Sequence, residues 1–299
     1  MPRLIVNADD FGLTSGVNRA IVELHQAGVL TSASLMANAA ASDEAIELVL
    51  ANPALGVGCH IVLADGSPVL SPRWDVPNLA DPIGGRFRPS LTGFLDWLYL
   101  GFGKDRCSSS NASAEIEAEA TAQIRLLQRR GIRLTHVDTH KHTHMFPAVL
   151  RPVLRAARAC GIARIRNPFD AAWSRRTAAR VPWFRRAQIT ALSRLEAHVL
   201  AIIAEHGFTT TDGTISIMIT GSLNTESLHR VLASMPEGTW ELVTHPGYHD
   251  ADLDATRTRL KGSREIERQA LSSIREFPQI ELVSFADLLP DLDRPLPKT

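Results

Sequence analysis

Short apolar runs alternate along the chain with stretches whose apolar positions recur every three or four residues. Buried-strand and amphipathic-helix patterns in turn are the mark of an α/β fold. Leu4-Ile5-Val6 predicts a first strand that ends at Asp9-Asp10-Phe11-Gly12. Ser15 is placed to cap a helix with Val17, Ile21 and Leu24 on its inner stripe and Gly28 at its end. A second strand is predicted over residues 32–36, then a helix with Ile46, Val49 and Leu50 on its apolar face, stopped by Asn52-Pro53. A third strand, residues 56–63, carries His60 inside an apolar run.

Residues 64–110 break the rhythm, being rich in Pro, Gly and Ser and carrying Trp74, Phe87, Phe94, Trp97 and Tyr99. A segment this long without strong periodicity predicts a functional loop or cap whose aromatic rings cover the site and stack on a ligand. A strong helix follows over 115–130, and strands are predicted at 135–140, 163–166, 214–218, 241–244 and 281–284. Helical patterns lie between them at 148–159, 187–206, 225–235 and 263–276. That makes about eight β/α units, so a distorted, TIM-barrel-like (β/α) barrel is expected. Acids and histidines recur at strand ends, which favours a barrel over an open doubly wound sheet. The expected organisation is one domain over residues 1–287 with a cap-like insertion at 64–110, then a mobile tail, 288–299, containing Pro290, Pro295 and Pro297.

Composition narrows the classes. The chain has 299 residues, 44% of them hydrophobic, enough for a large core. Lys+Arg and Asp+Glu are equal at 32 each, so no overall charge draws it to nucleic acid. Cys59, Cys107 and Cys160 are sparse and form no C-x-x-C pair, which suits a reducing compartment. The first ten residues do not read as a signal peptide, and no run of roughly 18 uncharged apolar residues is present. A soluble, cytoplasmic protein is expected. No G-x-G-x-x-G or P-loop occurs.

Asp9-Asp10 sets two adjacent carboxylates at the end of an apolar strand, where they repel unless a cation or donors hold them. The pair reads either as a solvated turn or helix cap, or as one metal ligand beside one base. His60 alone would be a satisfied core histidine. The densest signal is His136-Val137-Asp138-Thr139-His140-Lys141-His142-Thr143-His144. Alternation puts His136, Asp138 and His140 on one strand face, and neutral imidazole is the commonest metal ligand. A metal site is expected there. Asp138, His142 and His144 are left as substrate contacts or as supports for the ligands. His245, before Pro246-Gly247, is either a proton donor at a strand end or an exposed loop residue. Arg166 either holds a carboxylate or substrate, or is plain surface. Arg175, Arg176, Arg180, Arg185 and Arg186 surround Val181-Pro182-Trp183-Phe184 and form either a solvated helix face or a surface for anionic lipid headgroups.

Together, Asn7-Ala8-Asp9-Asp10-Phe11-Gly12, Gly58-Cys59-His60, the His136–Pro147 run and His245-Pro246-Gly247 resemble the YdjC-like carbohydrate deacetylases. That family includes chitooligosaccharide deacetylases and hopanoid-biosynthesis-associated members. The motifs occur in the family's order from about Leu4 to about Asp287. The resemblance implies a distorted barrel, one divalent cation and hydrolysis of an N-acetyl group. By motif it implies Asp10, His60 and His140 as metal ligands, Asp9 as base and His245 as acid. It implies magnesium, although two imidazoles and a carboxylate suit zinc, manganese or cobalt at least as well. Residues 62–70 and Gly85-Arg86-Phe87-Arg88 look more like the hopanoid-associated branch, whereas Arg166-Asn167-Pro168 departs from related members, which tend to carry Arg-x-Pro followed by a polar residue. The expected substrate is an N-acetylated amino sugar, either a chitooligosaccharide or an N-acetylglucosaminyl glycolipid of the hopanoid type. The other expected partners are a membrane lipid surface touched peripherally and a second copy of the chain. The rival readings are another metal hydrolase, such as a phosphoesterase, and a non-catalytic sugar- or lipid-binding protein.

Overall fold

The computed structural model describes residues 1–81, 83–100, 109–177, 183–215 and 219–288. Strand β1 (Arg3–Phe11) runs through the middle of a parallel sheet, and Leu4, Ile5, Val6 and Ala8 are wholly buried. Around it lie β2 (Ser32–Leu35), β3 (Gly56–Ile61), β4 (Leu134–Thr139), β5 (Gly213–Ile215) and β6 (Thr239–Thr244), in the order β4-β3-β2-β1-β6-β5. A short β7 (Glu281–Leu282) pairs with the start of β1. Continuous apolar runs such as Leu4-Ile5-Val6 are what strands covered on both faces require.

The outer strands β4 and β5 are linked by residues 164–170, through parallel bridges Val137↔Ile165 and Asp170↔Thr214. The strand predicted at 163–166 therefore survives only as isolated bridges. Pro168 lacks an N–H and restricts Asn167, whose side-chain oxygen accepts from Phe169 N at 3.1 Å. That local turn competes with a regular ladder. The curled sheet and this irregular stave make a distorted (β/α) barrel.

Helices α1 (Ser15–Gln26), α2 (Ser42–Ala51), α3 (Leu91–Leu100), α4 (Ser109–Arg129), α5 (Pro147–Ala159) and α6 (Ala172–Thr177) pack around the first half. The second half has α7 (Trp183–Leu192), α8 (Glu196–Glu205), α9 (Thr225–Ala233), α10 (Ala251–Ala255) and α11 (Ser263–Leu271). The α1 cap is Thr14, not Ser15. Thr14 is extended and its Oγ1 accepts from Val17 N at 3.3 Å, while Ser15 sits inside the helix and donates to Glu44. Leu50 was expected on the inner face of α2 but is 56% exposed; Ala45, Ile46 and Val49 form that face. The helix predicted over 187–206 is divided by a 3-10 turn at Ser193–Leu195, and residues 216–218 of the strand predicted at 214–218 lie outside the described residues.

The segment after β3 is held by α4. Glu119 accepts from Val69 N (2.8 Å) and Leu70 N (3.1 Å), and Glu115 from Asn78 N (3.0 Å) and Leu79 N (2.8 Å). Gln123 accepts from Val62 N and donates to Val62 O, both at 2.8 Å. Their four-residue spacing puts all three on one helical face, so α4 supplies acceptors to a loop that has no sheet partner. Phe87, Phe94 and Leu98 are buried beneath it. Residues 101–108 of the predicted insertion, and 289–299 of the predicted tail, lie outside the described residues.

Candidate metal centre and active site

In a regular strand Asp9 and Asp10 would point to opposite faces. Here the β1–β2 register shifts between Ala8 and Phe11, and Asp10 takes φ 62°. A bulge of this kind re-aims a side chain. Both carboxylates consequently line one cleft of about 1010 Å³, together with His60, His140, His142 and His245. Its walls include residues 65–67, Arg86, residues 89–92 and residues 255–260. Among the described residues, no aromatic side chain of the 64–100 segment lines it, because Phe87 and Phe94 are spent on the core beneath. The expected stacking platform is absent there.

Three groups converge at the cleft floor. Asp10 Oδ1 lies 3.2 Å from His140 Nδ1 and 3.6 Å from His60 Nε2, and the two ring nitrogens are 3.3 Å apart. One donor atom from each residue falls within 4.8 Å of the others. They come from the ends of three strands of the sheet: Asp10 and His60 from β1 and β3, which flank β2, and His140 from the turn that follows β4. β4 stops at Thr139, and His140 opens a 3-10 turn in which Lys141 (φ 58°) and His142 (φ 52°) are left-handed. The uninterrupted strand face expected for His136, Asp138 and His140 thus covers only the first two.

The donor set fits a divalent cation. His60 Nδ1 is bonded to Asp138 Oδ1 at 3.0 Å, which orients Nε2 toward Asp10 and His140. Burial alone would lower the His60 pKa, but Asp138, Asp9 and a hydrogen bond with Asp10 raise it to about 10. The carboxylates around it call for positive charge.

Beside this cluster Arg166 grips Asp9 with both arms of its fork, Nη1 to Oδ2 at 2.9 Å and Nη2 to Oδ1 at 2.6 Å. It also pairs with Asp138 and with Glu241 (Nε to Oε1, 2.8 Å), so one buried guanidinium serves three carboxylates. Burial would raise the Asp9 pKa, but Arg166 and His60 together outweigh it and hold the group below its ordinary value. Asn7 Nδ2 adds a bond to Asp9 Oδ1 at 3.1 Å. His245 faces Asp9 Oδ2 from 3.9 Å through Nε2. Its backbone N donates to Glu267 Oε2 at 2.7 Å, and its Nδ1 lies 3.9 Å from the same oxygen.

Of the four residues expected to contact substrate, His142 alone lines the cleft. Arg166, Asp138 and His144 are fully buried behind it. His144 bonds Thr139 Oγ1 (2.7 Å) and the Arg166 carbonyl (3.3 Å), so it braces the turn and the stave. Burial pushes its pKa down to about 4. His136 lies deeper, on Ser34 Oγ at 3.3 Å and stacked on Phe285, and Ser34 passes the chain of bonds to Asn7 and Asp9. A Cβ on Gly58 would meet the His136 ring at 2.4 Å. Gly58→Ala should therefore cost about 1–3 kcal/mol of stability. A denaturant melt matching wild type would show that the ring moves aside freely.

Sequence reasoning missed Glu241, Arg264 and Glu267. Arg264 pairs with Asp10 from α11, and Glu267, three residues on, holds His245. The available signal was that positions 264, 267, 270 and 271 share one buried stripe, so two charged residues occupy an apolar face.

A family model described as a YdjC-like protein matches residues 3–278. A carbohydrate deacetylase of Brevibacillus brevis is 33% identical over 291 residues, covering 96% of this chain and 99% of its own. A chitooligosaccharide deacetylase of Salmonella typhimurium is 39% identical over 160 residues, 54% of this chain and 57% of its own. A crystal structure from Enterococcus faecalis V583, provisionally described as a cellobiose-phosphate cleavage protein, superposes with a TM-score of 0.71 at 25% identity, covering 95% of this chain and 97% of that one. Matched over nearly its whole length, the chain belongs to the YdjC-like family.

Proposed function

We propose that this chain is a metal-dependent hydrolase that removes the acetyl group from an N-acetylated amino sugar. The observation that carries the reading is the convergence of Asp10, His60 and His140 beside the Arg166-held Asp9 and His245 at the floor of one open cleft. Relatives named as carbohydrate and chitooligosaccharide deacetylases support the substrate class.

Asp10, His60 and His140 would hold the cation, which when bound would polarise the acetyl carbonyl and acidify water. Two imidazoles and one carboxylate suit zinc, manganese or cobalt as well as the magnesium that the family resemblance implies. Asp9, kept ionised by Arg166, takes a proton from the attacking water as its oxygen bonds to the acetyl carbon. His245, on the other side of Asp9, gives a proton to the sugar nitrogen as the C–N bond breaks. Acetate and a free amine leave. Arg166 restrains Asp9 through two bonds, so the base keeps its orientation through the step.

The paired test measures acetate released from N-acetylglucosamine oligomers and phosphate released from chromogenic phosphate esters, with elemental analysis on the same protein. One cation per chain and acetate release are expected. Phosphate release with two cations per chain would sink the reading in favour of a phosphoesterase.

The finer reading of the substrate is an N-acetylglucosaminyl glycolipid. Between Asp170 and Glu196 there is no acid, and Arg175, Arg176, Arg180, Arg185, Arg186 and Arg194 all occur. Trp183 is 80% exposed. The helical stretch Arg186–Glu205 has the length and apolar content of a membrane span, and only 22% of it is buried. It is broken by the turn at Ser193–Leu195 and carries Arg194 and Glu196, which suits lying on an anionic lipid surface rather than crossing it. Residues 178–182 lie outside the described residues. Replacing Trp183 and Phe184 with Ala should reduce turnover of such a glycolipid at least several-fold more than that of diacetylchitobiose. Equal losses on both would make the patch ordinary surface and favour the chitooligosaccharide.

A further inference from the structure

Asp10 divides its two oxygens. Oδ1 faces the imidazoles of His140 and His60, and Oδ2 is taken by Arg264 Nη2. Arg264 begins α11, yet its side chain is completely buried. Its Nε and Nη1 have no hydrogen-bond partner among the described residues, so its one ion pair there, with Asp10, is its main compensation. The path of the side chain is built into the His245-Pro246-Gly247 motif. A Cβ on Gly247 would come within 3.1 Å of Arg264 Cδ and 3.3 Å of its Cβ. The absence of a side chain at Gly247 is what lets Arg264 run through to Asp10.

We propose that Arg264 is a positioning residue that keeps Asp10 a one-oxygen donor of reduced charge, and so weakens and opens the cation site. The inference rests on the metal-dependent reading above. Two effects of Arg264 oppose each other. It orients Asp10, which favours cation binding, and it places a fixed positive charge beside the site, which disfavours it. Orientation has another source here: the Asp10 backbone is set by the β1 bulge. The charge effect therefore decides. A unit charge beside a divalent cation weakens its binding by about tenfold even at the dielectric of water. Without Arg264, both Asp10 oxygens would be available to a bound cation.

The test is calorimetric titration of Mn²⁺ or Zn²⁺ into metal-stripped full-length protein, wild type against Arg264→Met and Arg264→Lys. Arg264→Met should bind the cation about tenfold more tightly while its kcat falls at least tenfold. Arg264→Lys keeps the charge and should stay within about twofold of wild type in affinity. Weaker or unchanged binding by Arg264→Met overturns the proposal. If that variant does not fold, Arg264→Gln, which is uncharged but keeps a polar end beside Asp10, should tighten binding instead, and unchanged or weaker affinity there overturns it equally. Wild type that binds no cation at one per chain overturns the metal-dependent reading as well, whereas wild-type binding with a weakened Arg264→Met overturns this inference alone.

Discussion

Asp9→Asn should lower kcat by on the order of 10²-fold or more while the protein stays folded and keeps its cation. The amide keeps an oxygen for Arg166, whose remaining pairs with Asp138 and Glu241 are untouched. It cannot accept the proton of an attacking water. With Asp10, His60 and His140 as the proposed ligands, elemental analysis should give wild-type cation content. Near-normal turnover would place the base elsewhere, and lost cation would place Asp9 among the ligands.

Arg166→Met should be the most damaging single change to stability, costing roughly 3–5 kcal/mol, because it strands buried carboxylates that share one guanidinium. Lysine should not rescue it, since no single ammonium reproduces a fork that holds Asp9 with two bonds and reaches Asp138 and Glu241 besides. The defect should depend on pH. Burial pushes Glu241 from 4.5 up to about 8, so its contribution to stability falls as pH rises through that window. Taking Arg166 away raises the folded pKa further, and the variant should unfold more easily at pH 8 than at pH 6. A urea unfolding free energy within about 1 kcal/mol of wild type, or a loss independent of pH, would refute the shared-guanidinium account.

The parts of this arrangement that could be read along the chain are those carried by local patterns. Leu4-Ile5-Val6 is apolar because β1 is covered on both faces, and the strand's end at two acids is visible in one dimension. The clustered histidines from His136 to His144 marked a metal site, and the motif resemblance implied Asp10, His60 and His140 as its ligands. What could not be read depends on partners far along the chain. Arg264 looks like one more charge at a helix start, and only its pairing with Asp10, 254 positions earlier, shows otherwise. For Arg166 the sequence left open a carboxylate partner, a substrate contact or plain surface, and only the fold shows that three carboxyl groups from β1, β4 and β6 draw it inside. The aromatic residues at 87 and 94 suggested stacking because composition does not say which way a ring points, and both point to the core. Ser15 was preferred to Thr14 as a cap because capping preference alone does not choose between adjacent hydroxyls.

The most direct measurement is acetate released from an N-acetylglucosamine oligomer by protein stripped with chelator, before and after one equivalent of divalent cation is returned. Release should fall to background on stripping and return with the first equivalent, and His60→Ala should fail to recover under the same addition. Undiminished release from the stripped protein would contradict a cation held by Asp10, His60 and His140 as the centre of the chemistry.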